Sequence, residues 1–152
     1  MSELKEGSNA PNFEGLDQNN ETISLSQFSG KKLILYFYPK DNTPGCTKES
    51  CNLRDNYSDL LDKGYAIVGI SADSAAKHQN FINKYDLPFP LIADVNKEII
   101  TAYGCWGLKK FMGREYEGIF RKTFVIENNI IVKLFEKVKT TDHAKQILDA
   151  MN

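Results

Sequence analysis

The run LILYFY at 33–38 is the feature that most constrains the fold. Six consecutive apolar or aromatic residues, with no polar alternation, suit a strand covered on both faces. AIVGIS at 66–71 repeats the pattern. Between them, residues 44–63 set Leu53, Tyr57, Leu60 and Leu61 at helical spacing, and Gly64 stands where a helix C′ glycine belongs. Strand, helix, strand in this order predicts a right-handed crossover. It sets 33–38 parallel to 66–71, with the helix across one face.

The rest of the chain continues the alternation. Residues 74–85 carry an apolar stripe of His78, Phe81, Ile82 and Tyr85, and LPFPLIAD at 87–94 suggests a short strand bounded by prolines. Residues 95–103 suggest another short helix. KTFVIE (122–127) and IIVKLFE (130–136) are β-rich runs separated by Asn128 and Asn129, which predicts a hairpin. A last helix at 142–151 would bury Ala144, Ile147, Leu148 and Met151. No repeat, linker or low-complexity tract interrupts the pattern, so residues 1–152 read as one domain. The expected class is α/β: a central mixed sheet flanked by helices, in the thioredoxin arrangement with an N-terminal extension.

Charge and cysteine usage narrow the function. The formal net charge is -1, which gives neither nucleic acid nor an anionic membrane an electrostatic reason to bind. The opening MSELKEGSNAPNFEG has no apolar signal region, and no run of about 18 apolar residues occurs, so a cytoplasmic chain without a membrane span is expected. The three cysteines, Cys46, Cys51 and Cys105, are odd in number and too few for a disulfide framework. With two histidines and no Cys-x-x-Cys, neither a metal site nor a cofactor is expected.

Two of those cysteines lie in PKDNTPGCTKESC, residues 39–51, directly after the first strand. Thr43 is suited to an N-cap and Pro44 to the first helical position, so Cys46 falls in the first turn. Unpaired N–H groups and the helix dipole favour a thiolate there. The alternative is a small buried hydrophobe. The carboxyl edge of a central strand, where open α/β sheets bind ligands, argues for function. Cys51 is five residues on, about 140° around an ideal helix and roughly 8.5 Å away between Cα atoms. A disulfide needs less than about 7 Å, so the two cannot join while the helix is intact. Cys51 is then either an unrelated thiol or a partner reached only by unwinding.

Pro39-x3-Thr43-x2-Cys46 resembles the active-site pattern of peroxiredoxins, and TPGCTKESC is similar to their Q-type branch, the bacterioferritin comigratory proteins. GSNAPNFEG (7–15) and FRKTFVIE (120–127) extend the resemblance nearly end to end. It implies a thiol-dependent peroxidase acting on hydrogen peroxide and organic hydroperoxides. Cys46 would be the peroxidatic cysteine and Cys51 the resolving one, joined in an intramolecular disulfide that a thioredoxin-like protein reduces. It also implies that Thr43 presents its hydroxyl to the peroxide and Arg121 supplies fixed positive charge. Pro39 would shield the thiolate, the N–H groups of Gly45 and Cys46 would bind peroxide oxygen, and Glu49 would orient an arginine. The branch is often monomeric.

Taken singly, Thr43 could be only an N-cap, Pro39 only a strand end and Arg121 only a cation at a sheet edge. A thiol–disulfide oxidoreductase is disfavoured because Glu49 stands where a Cys-x-x-Cys would need a thiol. A non-enzymatic redox sensor using the same pair is the other alternative. Cys105 is expected to be a packing residue, Trp106 structural, His78 half-buried, His143 solvated, and 108–118, with Lys109, Lys110 and Arg114, a solvated basic loop near the site.

Overall fold

The computed structural model describes residues 4–151. A short hairpin, β1 (Glu14–Leu16) with β2 (Thr22–Ser24), and a 3-10 turn at Leu25–Phe28 precede the main sheet. Then follow β3 (Lys32–Phe37), α1 (Pro44–Asp55), α2 (Tyr57–Asp62), β4 (Tyr65–Ser71), α3 (Ala75–Tyr85), β5 (Leu91–Ala93) and α4 (Glu98–Ala102). The chain ends with β6 (Trp106–Phe111), β7 (Arg114–Ile119), β8 (Lys122–Glu127), β9 (Ile130–Phe135) and α5 (His143–Met151). The central sheet has the order β5-β4-β3-β8-β9. β3, β4 and β5 are parallel, and β8 and β9 run antiparallel, so the sheet is mixed as expected.

The unbroken apolar run of β3 is explained by its central place. Leu33, Leu35 and Phe37 face one core with Phe13, Ile100, Tyr103 and Phe124. Ile34, Tyr36 and Tyr38 face a second core with Leu53, Leu60, Phe81 and Ile147. Period-two alternation therefore sends every side chain into one apolar layer or the other. Gly69 on β4 lets the Tyr36 ring approach its backbone, since a Cβ there would come 2.8 Å from Tyr36 Cζ. The β8–β9 turn is Asn128-Asn129, with φ of 53° and 65°, the left-handed pair that a two-residue hairpin requires.

Four expectations need correction. The helix read over 44–63 is two helices, broken at Asn56 (φ -109°, ψ 9°), whose Nδ2 donates to the Asn52 carbonyl at 2.8 Å. The break shifts the helical phase, so Leu53 and Leu60 are buried while Leu61 is exposed. Residues 108–118 lie within a β-hairpin, β6–β7, turned at Met112-Gly113. Both of its faces mix charge with apolar residues, so no buried face was visible in its pattern. His78 and His143 are each fully buried, the first rather than half-buried and the second rather than solvated.

Candidate active site

The β3 strand ends at the loop Tyr38–Asn42, which delivers the chain into α1. That loop is held from below. Asp41 Oδ2 lies 2.6 Å from His78 Nδ1 on α3, Asp41 Oδ1 accepts from the Tyr38 hydroxyl, and the Asp41 N–H donates to Asp73 at 2.8 Å. His78 Nε2 faces the Ile92 carbonyl at 2.9 Å, so that nitrogen must carry a hydrogen. These buried bonds fix where Thr43 and α1 begin.

Thr43 takes the N-cap position by its extended backbone, but its side chain makes no capping bond. The hydroxyl donates instead to the Lys40 carbonyl at 2.8 Å. This leaves its oxygen lone pairs free to accept a hydrogen from a ligand. Pro44 opens the helix, and the first N–H bonded back to the preceding loop is that of Thr47, to the Thr43 carbonyl at 2.8 Å. The N–H groups of Gly45 and Cys46 have no backbone acceptor among the described residues. Pro39 lies half-buried just past the end of β3.

Arg121, directly before β8, completes the arrangement. Its Nη2 donates to Cys46 Sγ at 3.1 Å and its Nη1 to Glu49 Oε1 at 2.7 Å. Glu49, expected from the sequence to orient an arginine, has Arg121 as its partner. Burial works against the guanidinium charge, but Glu49 and Cys46 outweigh it and raise the Arg121 pKa. Burial pushes the Glu49 carboxyl up to about 7 despite Arg121. Lys109 on β6 donates to the Ile119 carbonyl at 2.8 Å. Burial and the Arg121 charge both lower its pKa, and the Cys46 charge opposes them. It is therefore half-buried beside the site rather than free in solvent.

One N–H of the Arg121 fork reaches the buried Cys46 sulfur, and two backbone N–H groups without a backbone acceptor and the Thr43 hydroxyl lie in the same turn. Such a site can stabilise negative charge growing on an attacked oxygen. Gly45 makes room for it, since a Cβ there would lie 3.3 Å from Arg121 Nη2. Gly45→Ala should displace the guanidinium by a few tenths of an ångström. Stopped-flow measurement should then find Cys46 oxidation about 3- to 10-fold slower. An unchanged rate would show that the fork has slack.

Cys51 sits on α1, partly exposed, as a free thiol. Burial raises its pKa, partly offset by Arg54. Tyr36 and Ser50 hydroxyls, 2.9 Å apart, tie α1 to β3. Asn52 ties the helix to α5 through the Thr141 carbonyl and the Ala144 N–H. Cys105 is fully buried and its thiol is pushed up to about 12 by burial, which suits the packing role expected of it. Sequence reasoning missed His143, whose Nε2 lies 3.6 Å from Glu49 Oε2. Its only local signal was a place at the start of α5, which says nothing about a partner on α1.

Residues 7–135 match the AhpC/TSA family. The chain is 45% identical to a putative peroxiredoxin of Haemophilus influenzae over 150 residues, covering 98% of this chain and 97% of that one. It is 42% identical to a Bacillus subtilis peroxiredoxin, covering 95% and 93%. Among solved structures, a variant of Xylella fastidiosa PrxQ superposes with a TM-score of 0.91 at 28% identity, covering 99% and 97% of the two chains. Xanthomonas campestris peroxiredoxin Q superposes at 0.85 with 32% identity, covering 91% and 89%. The chain belongs to the AhpC/TSA family as a peroxiredoxin similar to the Q-type branch, and it is a thiol-dependent peroxidase.

Proposed function

We propose that Cys46 is the peroxidatic cysteine and Cys51 its resolving partner. The thiolate of Cys46 attacks one peroxide oxygen in line with the O–O bond. The S–O bond forms as O–O breaks, leaving a sulfenic acid and an alkoxide or hydroxide that takes a proton to become alcohol or water. Arg121 and the N–H groups of Gly45 and Cys46 hold the two oxygens as charge moves onto the leaving one. Thr43 accepts the hydrogen of the peroxide O–H, and Pro39 limits water at the sulfur. The Cys51 thiol then displaces water from the sulfenic acid to form the disulfide. Two electrons and two protons from a thioredoxin-like dithiol restore both thiols.

The observation that carries this reading is the Arg121 fork, with one N–H on Cys46 Sγ and another on Glu49. Hydrogen peroxide and small organic hydroperoxides are the proposed substrates. In support, a bacterioferritin comigratory protein of Xanthomonas campestris was solved in a study of its alkyl peroxide reduction activity. The working form we propose is a monomeric single domain in the cytoplasm. No helix among the described residues is long and apolar enough to cross a membrane.

One equivalent of hydrogen peroxide, added to the fully reduced chain, should remove two thiols within seconds. Intact mass and peptide mapping should locate a Cys46–Cys51 link. In Cys51→Ser the link should be absent, a sulfenic acid should persist at Cys46, and turnover with thioredoxin should stop. Since α1 is helical across both cysteines, oxidation should also strip amide-exchange protection from residues 47–51, while Asn52 stays anchored to α5. Link formation with α1 still protected would be incompatible with the helical geometry. No oxidation of Cys46 on this timescale would sink the assignment.

A further inference from the structure

The two oxygens of Glu49 are treated differently. Oε1 accepts from Arg121, whereas Oε2 is buried with no hydrogen-bond partner among the described residues. A buried carboxylate oxygen without a donor is costly. His143 Nε2 lies 3.6 Å away, and both side chains are wholly inaccessible to solvent.

The tautomer of His143 follows from its other bonds. Gln146 Oε1 accepts from the Lys139 N–H at 3.0 Å, and Gln146 Nε2 donates to the Lys137 carbonyl at 2.8 Å, so the amide orientation is fixed. His143 Nδ1, 2.8 Å from that same Oε1, must therefore be the donor. A neutral His143 then has a bare Nε2, facing the Thr123 hydroxyl at 2.8 Å and Glu49 Oε2. That nitrogen accepts from the Thr123 hydroxyl, so the unpartnered atom is Glu49 Oε2, which a proton of its own would turn into a donor directed at Nε2.

We propose that Glu49 Oε2 and His143 Nε2 share one proton behind Arg121, which makes His143 a positioning residue for peroxide attack at Cys46. This rests on the roles given above to Cys46 and Arg121. With the proton in place the carboxyl is neutral, and the guanidinium charge is left to the thiolate. When the proton leaves, Glu49 competes for that charge and the thiolate and leaving oxygen are held less well.

The electrostatics agree in direction. Burial pushes the Glu49 carboxyl up to about 7. Burial, with a further push from Arg121 that Gln146 opposes, brings His143 down to about 4. Between these limits the pair holds one proton, and it resides on the carboxyl side. The groups facing the pair are Cys46 from α1, Tyr36 from β3, Arg121, Thr123 from β8, the Phe135 ring edge from β9, and Gln146 on α5. Tyr36 stays protonated, because burial raises it well above its ordinary range. In the stability balance the two shifts oppose each other. The raised Glu49 contributes stability that is lost as pH rises through about 7, and the lowered His143 contributes stability that is lost as pH falls through about 4. Between their ordinary values of 4.5 and 6.5 the folded and unfolded pairs each hold one proton. The pair therefore acts on activity far more than on stability.

The test uses the full chain with 15N-labelled histidine, whose two histidines are told apart by substitution. In the reduced protein the His143 Nε2 resonance should shift in a step near pH 7, and Glu49→Gln should remove that step between pH 5 and 8. Stopped-flow oxidation of Cys46 should show a matching decline on the alkaline side, up to about tenfold. Glu49→Gln should abolish the decline, and His143→Leu should displace its midpoint by about half a unit or more. A resonance that is flat in the parent protein, or that titrates alike in Glu49→Gln, would overturn the shared proton. An unmoved midpoint in His143→Leu would remove His143 from the mechanism. Failure of Cys46 to oxidise at all would instead strike the peroxidase roles, leaving the resonance step to be judged by itself.

Discussion

Replacing Arg121 by glutamine is expected to slow peroxide oxidation of Cys46 by about 10²–10³-fold, the usual loss on removing a preorganised charged donor. Two bonds vanish together: the 3.1 Å contact to Cys46 Sγ and the 2.7 Å contact to Glu49 Oε1. Arg121→Lys should recover little of this. An ammonium is a point charge that cannot span both partners, whereas the planar fork donates to each in a fixed direction. The rate constant is read from the second-order decay of the free thiol under excess peroxide. A loss smaller than about fivefold in Arg121→Gln would mean that the helix N–H groups alone stabilise the developing charge, and the fork would be structural.

The second large effect falls on stability. His78→Leu should lower the unfolding free energy by about 3–5 kcal/mol, because the Asp41 carboxyl and the Ile92 carbonyl are each left buried without their partner. Asp41 would keep only the Tyr38 hydroxyl on its carboxylate, and the Ile92 carbonyl would lose the donor now 2.9 Å away. At a urea slope of roughly 1–3 kcal/mol/M for small proteins, the midpoint should fall by one molar or more. Because the same pair fixes the loop that carries Thr43, the surviving folded protein should also oxidise more slowly. A midpoint shift under about 0.3 M would show that the network relaxes around the missing ring.

Much of the fold was legible because its signals are local. Doubly covered strands announce themselves as unbroken apolar runs, and Asn128-Asn129 marks its hairpin by the left-handed backbone both residues adopt. The β6–β7 hairpin was not legible. Phe111 and Tyr116 share a face with Lys109 and Arg114, so neither strand period nor helix period dominates there. The break at Asn56 was also hidden, since an asparagine bonding back to Asn52 leaves no mark in an otherwise continuous stripe.

The site divides along the same line. By itself the sequence determined the strand–loop–helix unit that sets Cys46 in a first helical turn, and the helical separation that keeps Cys51 from it. Both follow from local backbone geometry, which neighbouring residues dictate. Only the tertiary structure decided that Thr43 leaves its cap to bond Lys40, that His78 secures Asp41, and that an orphan oxygen of Glu49 faces His143. The last two of those pairings join the loop before α1 to α3, and α1 to α5, elements distant along the chain. These two arise because sheet packing removes water from buried polar groups and leaves them no partner but one another.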